Sequence, residues 1–145
     1  MLKFTPIKLM AAIFTPEFAF GDNLFLINLF NELSEGKFNG EFISVPIPQD
    51  APAEIPRIIL NSKDGLWKLE VSLMRTALIF LKPSLDLVTD NDAIEFNTFA
   101  KKVFYNYKKK TKIRVQRLAY VTERVTKISG DSPAQYIADK FCKDN

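Results

Sequence analysis

The stretch from Ile55 to Leu81 most constrains the fold, because its side chains alternate with the period of a β-strand. The clearest alternation runs from Trp67 to Leu73, where every second residue is apolar, so one strand face is apolar and the other polar. Asp64-Gly65 separates this segment from an upstream apolar run at Ile58–Leu60. Asp-Gly between apolar runs is a strong hairpin signal, because glycine adopts positive φ without steric cost. The sequence therefore predicts an antiparallel meander.

The third segment of this meander, Thr76–Leu81, is apolar on both faces and ends shortly before Pro83. Proline ends such a segment because it has no N–H to donate to a strand ladder. A strand with two apolar faces is either central and covered twice, or covered by a partner subunit.

The segments around the meander predict a single α+β domain over residues 1–145. We expect a mainly antiparallel sheet of about five strands, in the order β-α-β-β-β-α-β-α, packed with three helices. The flanking elements are a strand at 7–14, a helix at 24–33 capped by Asp22, a helix from Asp90 to about Tyr107, a strand at 113–125 and a helix after Ser132. We predict a bulge near Arg117-Leu118, where the alternation slips. The last helix is expected to turn Ala134, Ile137, Ala138 and Phe141 inward.

The composition removes several functions from consideration. The chain has no histidine, which is the commonest general base and a common metal ligand. Its one cysteine, Cys142, permits no intrachain disulfide and fits a reducing compartment. The apolar run at Leu9–Phe14 is too short to cross a membrane, so we expect a cytoplasmic protein without a membrane partner. We predict no catalytic residue, no cofactor and no metal site.

Acidic residues gather at the start of the second long helix, but their spacing matches no cation-binding loop. A helix N-terminus explains two of them, because carboxylates are stabilised at the positive end of the helix dipole. The cluster consists of Asp86, Asp90, Asp92 and Glu95.

The segment at 101–117 is the most basic part of the chain and contains no acid. Tyr105 and Tyr107 lie between its cations, and a groove for single-stranded nucleic acid combines cations with stacking aromatic rings. We favour a simpler interpretation, in which the cations stabilise and solvate the C-terminal end of a helix. Nucleic acid therefore remains an alternative partner. The cations concerned are Lys101, Lys102, Lys108, Lys109, Lys110, Lys112, Arg114 and Arg117.

Apolar side chains exceed what one helix layer over one sheet face would cover. The helix at 24–33 and the strand at 76–81 both read as buried on two sides, and a bare apolar sheet face is a binding surface or an aggregation hazard. A second copy of the chain would cover it, and symmetric dimers are the commonest oligomers. The alternative is that the helices divide between both faces of the sheet. The candidate contact residues are Phe25, Ile27, Leu78 and Phe80.

Several local motifs give the chain a resemblance to a sporadically distributed family of uncharacterised bacterial proteins. These motifs are Ile55-Pro56-Arg57, Asp64-Gly65 followed by Trp67, Arg75, and Arg117-Leu118-Ala119-Tyr120. The resemblance implies no catalytic residue, because that family has no assigned activity. It also implies that typical members are longer than this chain.

Three functions follow from these observations. The first is a non-enzymatic interaction domain that forms a homodimer and presents an apolar groove to a protein or peptide. The second is a nucleic-acid-binding module that uses the cations of 101–117. The third is a small-ligand binder or an enzyme, which without histidine would depend on carboxylate, lysine or tyrosine chemistry.

Overall fold

Six strands form one antiparallel sheet in the computed structural model, which describes residues 3–16, 22–48, 50–83, 87–128 and 132–142. Their order across the sheet is β2-β3-β4-β5-β1-β6, so β2 and β6 are the edges. The α+β prediction is confirmed, with one strand more than expected. The strands are β1 (Thr5–Phe14), β2 (Phe42–Ser44), β3 (Ile58–Asn61), β4 (Trp67–Val71), β5 (Arg75–Leu81) and β6 (Arg117–Val125).

The predicted meander is confirmed as β3-β4-β5. Leu69 of β4 lies opposite Leu60 of β3 and Leu78 of β5, so the three leucines share one face. At the β3–β4 turn Gly65 has a φ of 74°, as the Asp-Gly signal predicts. The Asp64 carboxylate accepts hydrogen bonds from the Ser62 hydroxyl and the Leu66 N–H, and these bonds lower the pKa of Asp64.

Three helices occur in the described part of the chain: α1 (Asn23–Leu33), α2 (Asp90–Thr111) and α3 (Pro133–Phe141). Asp22 caps α1, as predicted, and its side chain accepts from the Leu24 N–H. Thr89 and Asp92 form a capping box at the start of α2. The helix runs to Thr111, one turn beyond the predicted end, and Lys112 closes it in the left-handed conformation.

Both α1 and α2 pack on the same face of the sheet. Trp67 of β4 lies at the centre of this layer, with its ring 5.8 Å from that of Phe96 in a stacked arrangement. Phe80 and Phe99 meet the same indole edge-on, each at 4.9 Å. Aromatic rings at these separations attract one another beyond the effect of burial. The aromatic cluster around Trp67 therefore fixes α2 over the central strands.

Tyr107 connects the two helices inside this layer. Its ring lies 4.7 Å from that of Phe30 in α1, and both side chains are fully buried. Burial raises the pKa of the Tyr107 hydroxyl, and a hydrogen bond with Thr76 of β5 opposes that rise. Tyr107 is therefore a core residue and does not belong to the surface of the basic segment.

Four expectations differ from the structure. The strand β2 was not predicted, because its three residues are exposed and show no alternation. The predicted strand at 113–125 begins only at Arg117, and the irregularity lies in β1 between Pro6 and Lys8 and not at Arg117. The inward turn predicted for α3 is wrong, because no described residue of α3 is buried and Phe141 is 72% exposed.

Replacing Phe96 with alanine tests whether the aromatic cluster holds the helix layer on the sheet. We expect Phe96→Ala to lower the free energy of unfolding by about 3–5 kcal/mol, because a fully buried aromatic ring is lost and leaves a cavity. The matched control is Ile94→Ala on the exposed side of the same helix, which should change it by no more than about 0.5 kcal/mol. Urea unfolding measures both. Equal effects of the two substitutions would contradict this assignment.

Candidate functional site

The candidate site is an apolar patch on the sheet face that points away from α1 and α2. Two rows of side chains cross β5, β1 and β6 here. One row contains Ala77, Ala12 and Ala119, and the next contains Ile79, Met10 and Val121. Residues directly opposite each other in an antiparallel pair share a face, so these six side chains form one surface. We call them the apolar patch.

The two rows of the apolar patch differ in the length of their side chains. The alanine row is low, and Ala12 and Ala77 are buried between taller neighbours. The row of Ile79, Met10 and Val121 stands higher, with Val121 46% exposed. Of the six side chains, Val121 is exposed, Met10, Ile79 and Ala119 are half-buried, and Ala12 and Ala77 are buried.

Charged side chains on the same face surround the apolar patch. Register places Lys8 and Glu123 beyond one end, where the Lys8 Nζ lies 3.3 Å from the Glu123 Oε2. On the β4 side Glu70 contacts both Lys68 and Arg75, at 3.7 and 3.6 Å. These pairs are partly exposed, so they contribute little to stability. An apolar centre within a charged rim is the usual anatomy of a protein interface.

Neither of the two long helices covers the apolar patch. The helices α1 and α2 contribute their buried residues to the opposite face, where one core cluster joins them to the sheet. The amphipathic helix α3 buries none of its described residues and leaves Ile137 53% exposed. The alternative in which the long helices divide between both faces is therefore not what the structure shows.

The strand β6 adds an exposed edge to this surface. It pairs with β1 on one side only. Leu118 and Tyr120 lie on its helix side but are 73% and 51% exposed, because α2 does not reach across them. The Tyr120 ring lies 6.0 Å from the ring of Phe96. An edge strand of nine residues with exposed apolar side chains can pair with another chain.

The four candidate contact residues from the sequence do not form a surface. Ile27, Leu78 and Phe80 are buried in the core, at 6%, 0% and 4% exposure, because both helices cover that face. Phe25 is 49% exposed at the start of α1. The alternation of β5 places Leu78 and Phe80 inward and Ile79 on the apolar patch. Ile79 was not among the contact residues predicted from the sequence.

The structure divides the eight basic candidates among different surroundings. Tyr105, Lys108, Lys109, Lys112 and Ile113 line an open groove of about 350 Å³, and Tyr105 is 68% exposed. Two other lysines of α2 contact acids near α1: Lys102 pairs with Glu35 and Lys110 with Glu32. Lys101 and Arg114 are exposed. Arg117 lies on the other face of the sheet, with its guanidinium 4.0 Å from the Phe14 ring centroid.

The acidic cluster has structural partners. Asp92 caps α2 and lies 2.6 Å from the Lys82 Nζ, and Glu95 lies 3.2 Å from the Lys37 Nζ. Asp86 lies outside the described residues. Within the described ranges, no group of three or more potential ligands could hold a metal ion. Cys142 is exposed. Of the helices that the structure describes, none is both long and apolar enough to cross a bilayer.

Comparisons with protein-family models, curated proteins and solved structures find no match for this chain. The resemblance to an uncharacterised bacterial family therefore stays a prediction.

Proposed function

We propose that this protein is a non-enzymatic interaction domain that self-associates and presents the apolar patch to a protein or peptide partner. One observation carries the proposal: α1 and α2 pack on the opposite face of the sheet, and Val121 of the patch is 46% exposed. Apolar side chains gain free energy when another surface removes them from water. A partner that covers the patch gains that free energy on binding.

The shape of the apolar patch suits an elongated apolar partner. The alanine row offers short side chains, and the row containing Ile79 and Met10 offers longer ones. The charged rim would orient a bound partner, because it favours a partner of complementary charge. Rim charges act mainly on the specificity and the association rate of binding. A helix or strand with one apolar side fits this description.

Dye binding tests whether the apolar patch is open to a partner. We expect the protein to enhance the fluorescence of 1-anilinonaphthalene-8-sulfonate, and Ile79→Glu to remove most of that enhancement, because a carboxylate within the patch is hydrated and repels the sulfonate of the dye. The matched control is Ile94→Glu, which places the same charge on the exposed face of α2. Circular dichroism should show that both variants remain folded.

Two outcomes would contradict the proposal. One is dye binding that is equally strong in Ile79→Glu and the unsubstituted protein, since the dye would then bind elsewhere. The other is a monomer mass of 16.6 kDa by light scattering at all protein concentrations up to about 1 mM. Any dimer would then have a dissociation constant above about 1 mM, which is very weak association.

A second candidate function is binding of single-stranded nucleic acid at the groove beside Tyr105. The observation that favours it is the position of an exposed aromatic ring next to three lysines that have no acid in the groove lining. Bases stack on such rings, while lysines contact the phosphates. Stabilisation of the α2 C-terminus explains the lysines but leaves the exposure of Tyr105 without a reason.

Fluorescence anisotropy with a labelled oligothymidine tests the second function. Three phosphate contacts predict a slope of about −2 when log K is plotted against log salt concentration. Tyr105→Ala should weaken binding by about 1–3 kcal/mol through lost stacking. The control is Tyr136→Ala, which removes a tyrosine beside Lys140 on α3. Absence of binding at low salt, or equal binding by both variants, would exclude this function.

A further inference from the structure

We propose that two copies of this chain join through the outer edges of their β6 strands, with the Tyr120 residues facing each other at the two-fold axis. The sheet would then continue through both subunits. This inference rests on the proposed self-association and specifies how it occurs. Three features carry it: the backbone groups on the edge, the pattern of charges along β6, and the exposure of its apolar side chains.

The direction of the backbone groups follows from two hydrogen bonds at the end of β1. The Thr15 N–H donates to the Met74 carbonyl on the β5 side, and the Phe14 carbonyl accepts from Gln116 on the β6 side. Alternate residues of a strand direct their groups to opposite edges. The backbone N–H and C=O groups of even-numbered β1 residues therefore face β6. Their register partners in β6 are odd-numbered, so the odd-numbered residues of β6 form the hydrogen bonds to β1. The groups left pointing outward from β6 are those of Leu118, Tyr120 and Thr122.

These outward groups make β6 able to accept another strand. Its nine residues contain no proline, the extra residue of the β1–β6 pairing lies in β1, and no described strand lies beyond β6. Natural proteins usually protect such an edge with proline, a bulge, a very short strand, a covering element or charged side chains, and β6 has charges at Arg117, Glu123 and Arg124. The opposite edge strand, β2, has only three residues. The long edge of β6 is therefore the one suited to pairing.

The charges of β6 select one register. In an antiparallel pair of identical strands related by a two-fold axis, one residue must lie opposite its own copy. With Tyr120 at that point, Arg117 lies opposite Glu123 of the partner subunit, and this contact occurs twice. With Val121 at that point, Arg117 would face Val125 and Glu123 would face Ala119. Cross-strand pairs of opposite charge are stabilising, so the Tyr120 register is favoured.

The same register accounts for the exposed apolar side chains of the edge. On the helix side, Leu118 and Tyr120 are 73% and 51% exposed in one chain and would be covered by the neighbouring strand. On the other side, Ala119 would lie opposite Val121 of the partner subunit. The two apolar patches would then meet across the axis and form one larger surface. Pairing would thus enlarge the surface offered to a further partner.

Charge reversal at two positions tests this register. Arg117→Glu alone places carboxylates opposite each other, and Glu123→Arg alone places cations opposite each other. We expect each variant to raise the dimer dissociation constant at least about tenfold in analytical ultracentrifugation. An equimolar mixture of the two variants should restore dimers, because each heterodimer contains two opposite-charge pairs. The control is Arg124→Glu, whose position faces the uncharged Gln116 and should leave the constant unchanged.

Restoration in the mixture separates this inference from a loss of folding, since misfolded chains would not recover by mixing. Dimers that are equally stable in both single variants would overturn the β6 register while leaving self-association intact. A protein that stays monomeric without any substitution would overturn both. Dimers that weaken with Arg124→Glu as much as with Arg117→Glu would also contradict the register, because they would report net charge and not pairing.

Discussion

The stacking of Phe96 on Trp67 joins the helix layer to the sheet, and the rest of the arrangement depends on it. Phe80 and Phe99 complete the cluster, and Tyr107 links α2 to α1 through Phe30. These contacts hold both long helices on the same face. The residues that alternate with the core positions on β1, β5 and β6 therefore face away from these two helices.

The sheet face that points away from α1 and α2 has an apolar centre and a charged rim. Its centre consists of alanine, isoleucine, methionine and valine side chains, and its charges lie at the rim, partly exposed and paired with one another. Four described groups have a shifted pKa: Tyr107 in the core, Asp64 at a turn, Asp92 at a helix cap and Glu35 beside Lys102. Each of the four shifts has a local structural cause.

The sequence predicted the meander and the helix starts, because those depend on local chemistry: Asp64-Gly65 at a turn, Asp22 at a cap, and alternation through Trp67. It did not predict the packing. Periodicity showed that α3 has an apolar side but not whether anything contacts it, and Ile137 proved exposed. Apolarity on both faces of β5 was recognised, but Leu78 was selected as a contact where Ile79 is the outward residue. Deciding between adjacent residues requires knowing which face the helices cover, which is a property of the whole fold.

Cysteine accessibility tests the central claim, that one face of the sheet is covered and the other open. In a Cys142→Ser background, single cysteines replace Leu78 or Ile79, which are adjacent residues on opposite faces of the central strand β5. In dilute native protein, we expect a maleimide to label Ile79→Cys within minutes and to label Leu78→Cys only after unfolding. Equal protection of both cysteines would show that the chain covers both faces itself, and would contradict the account.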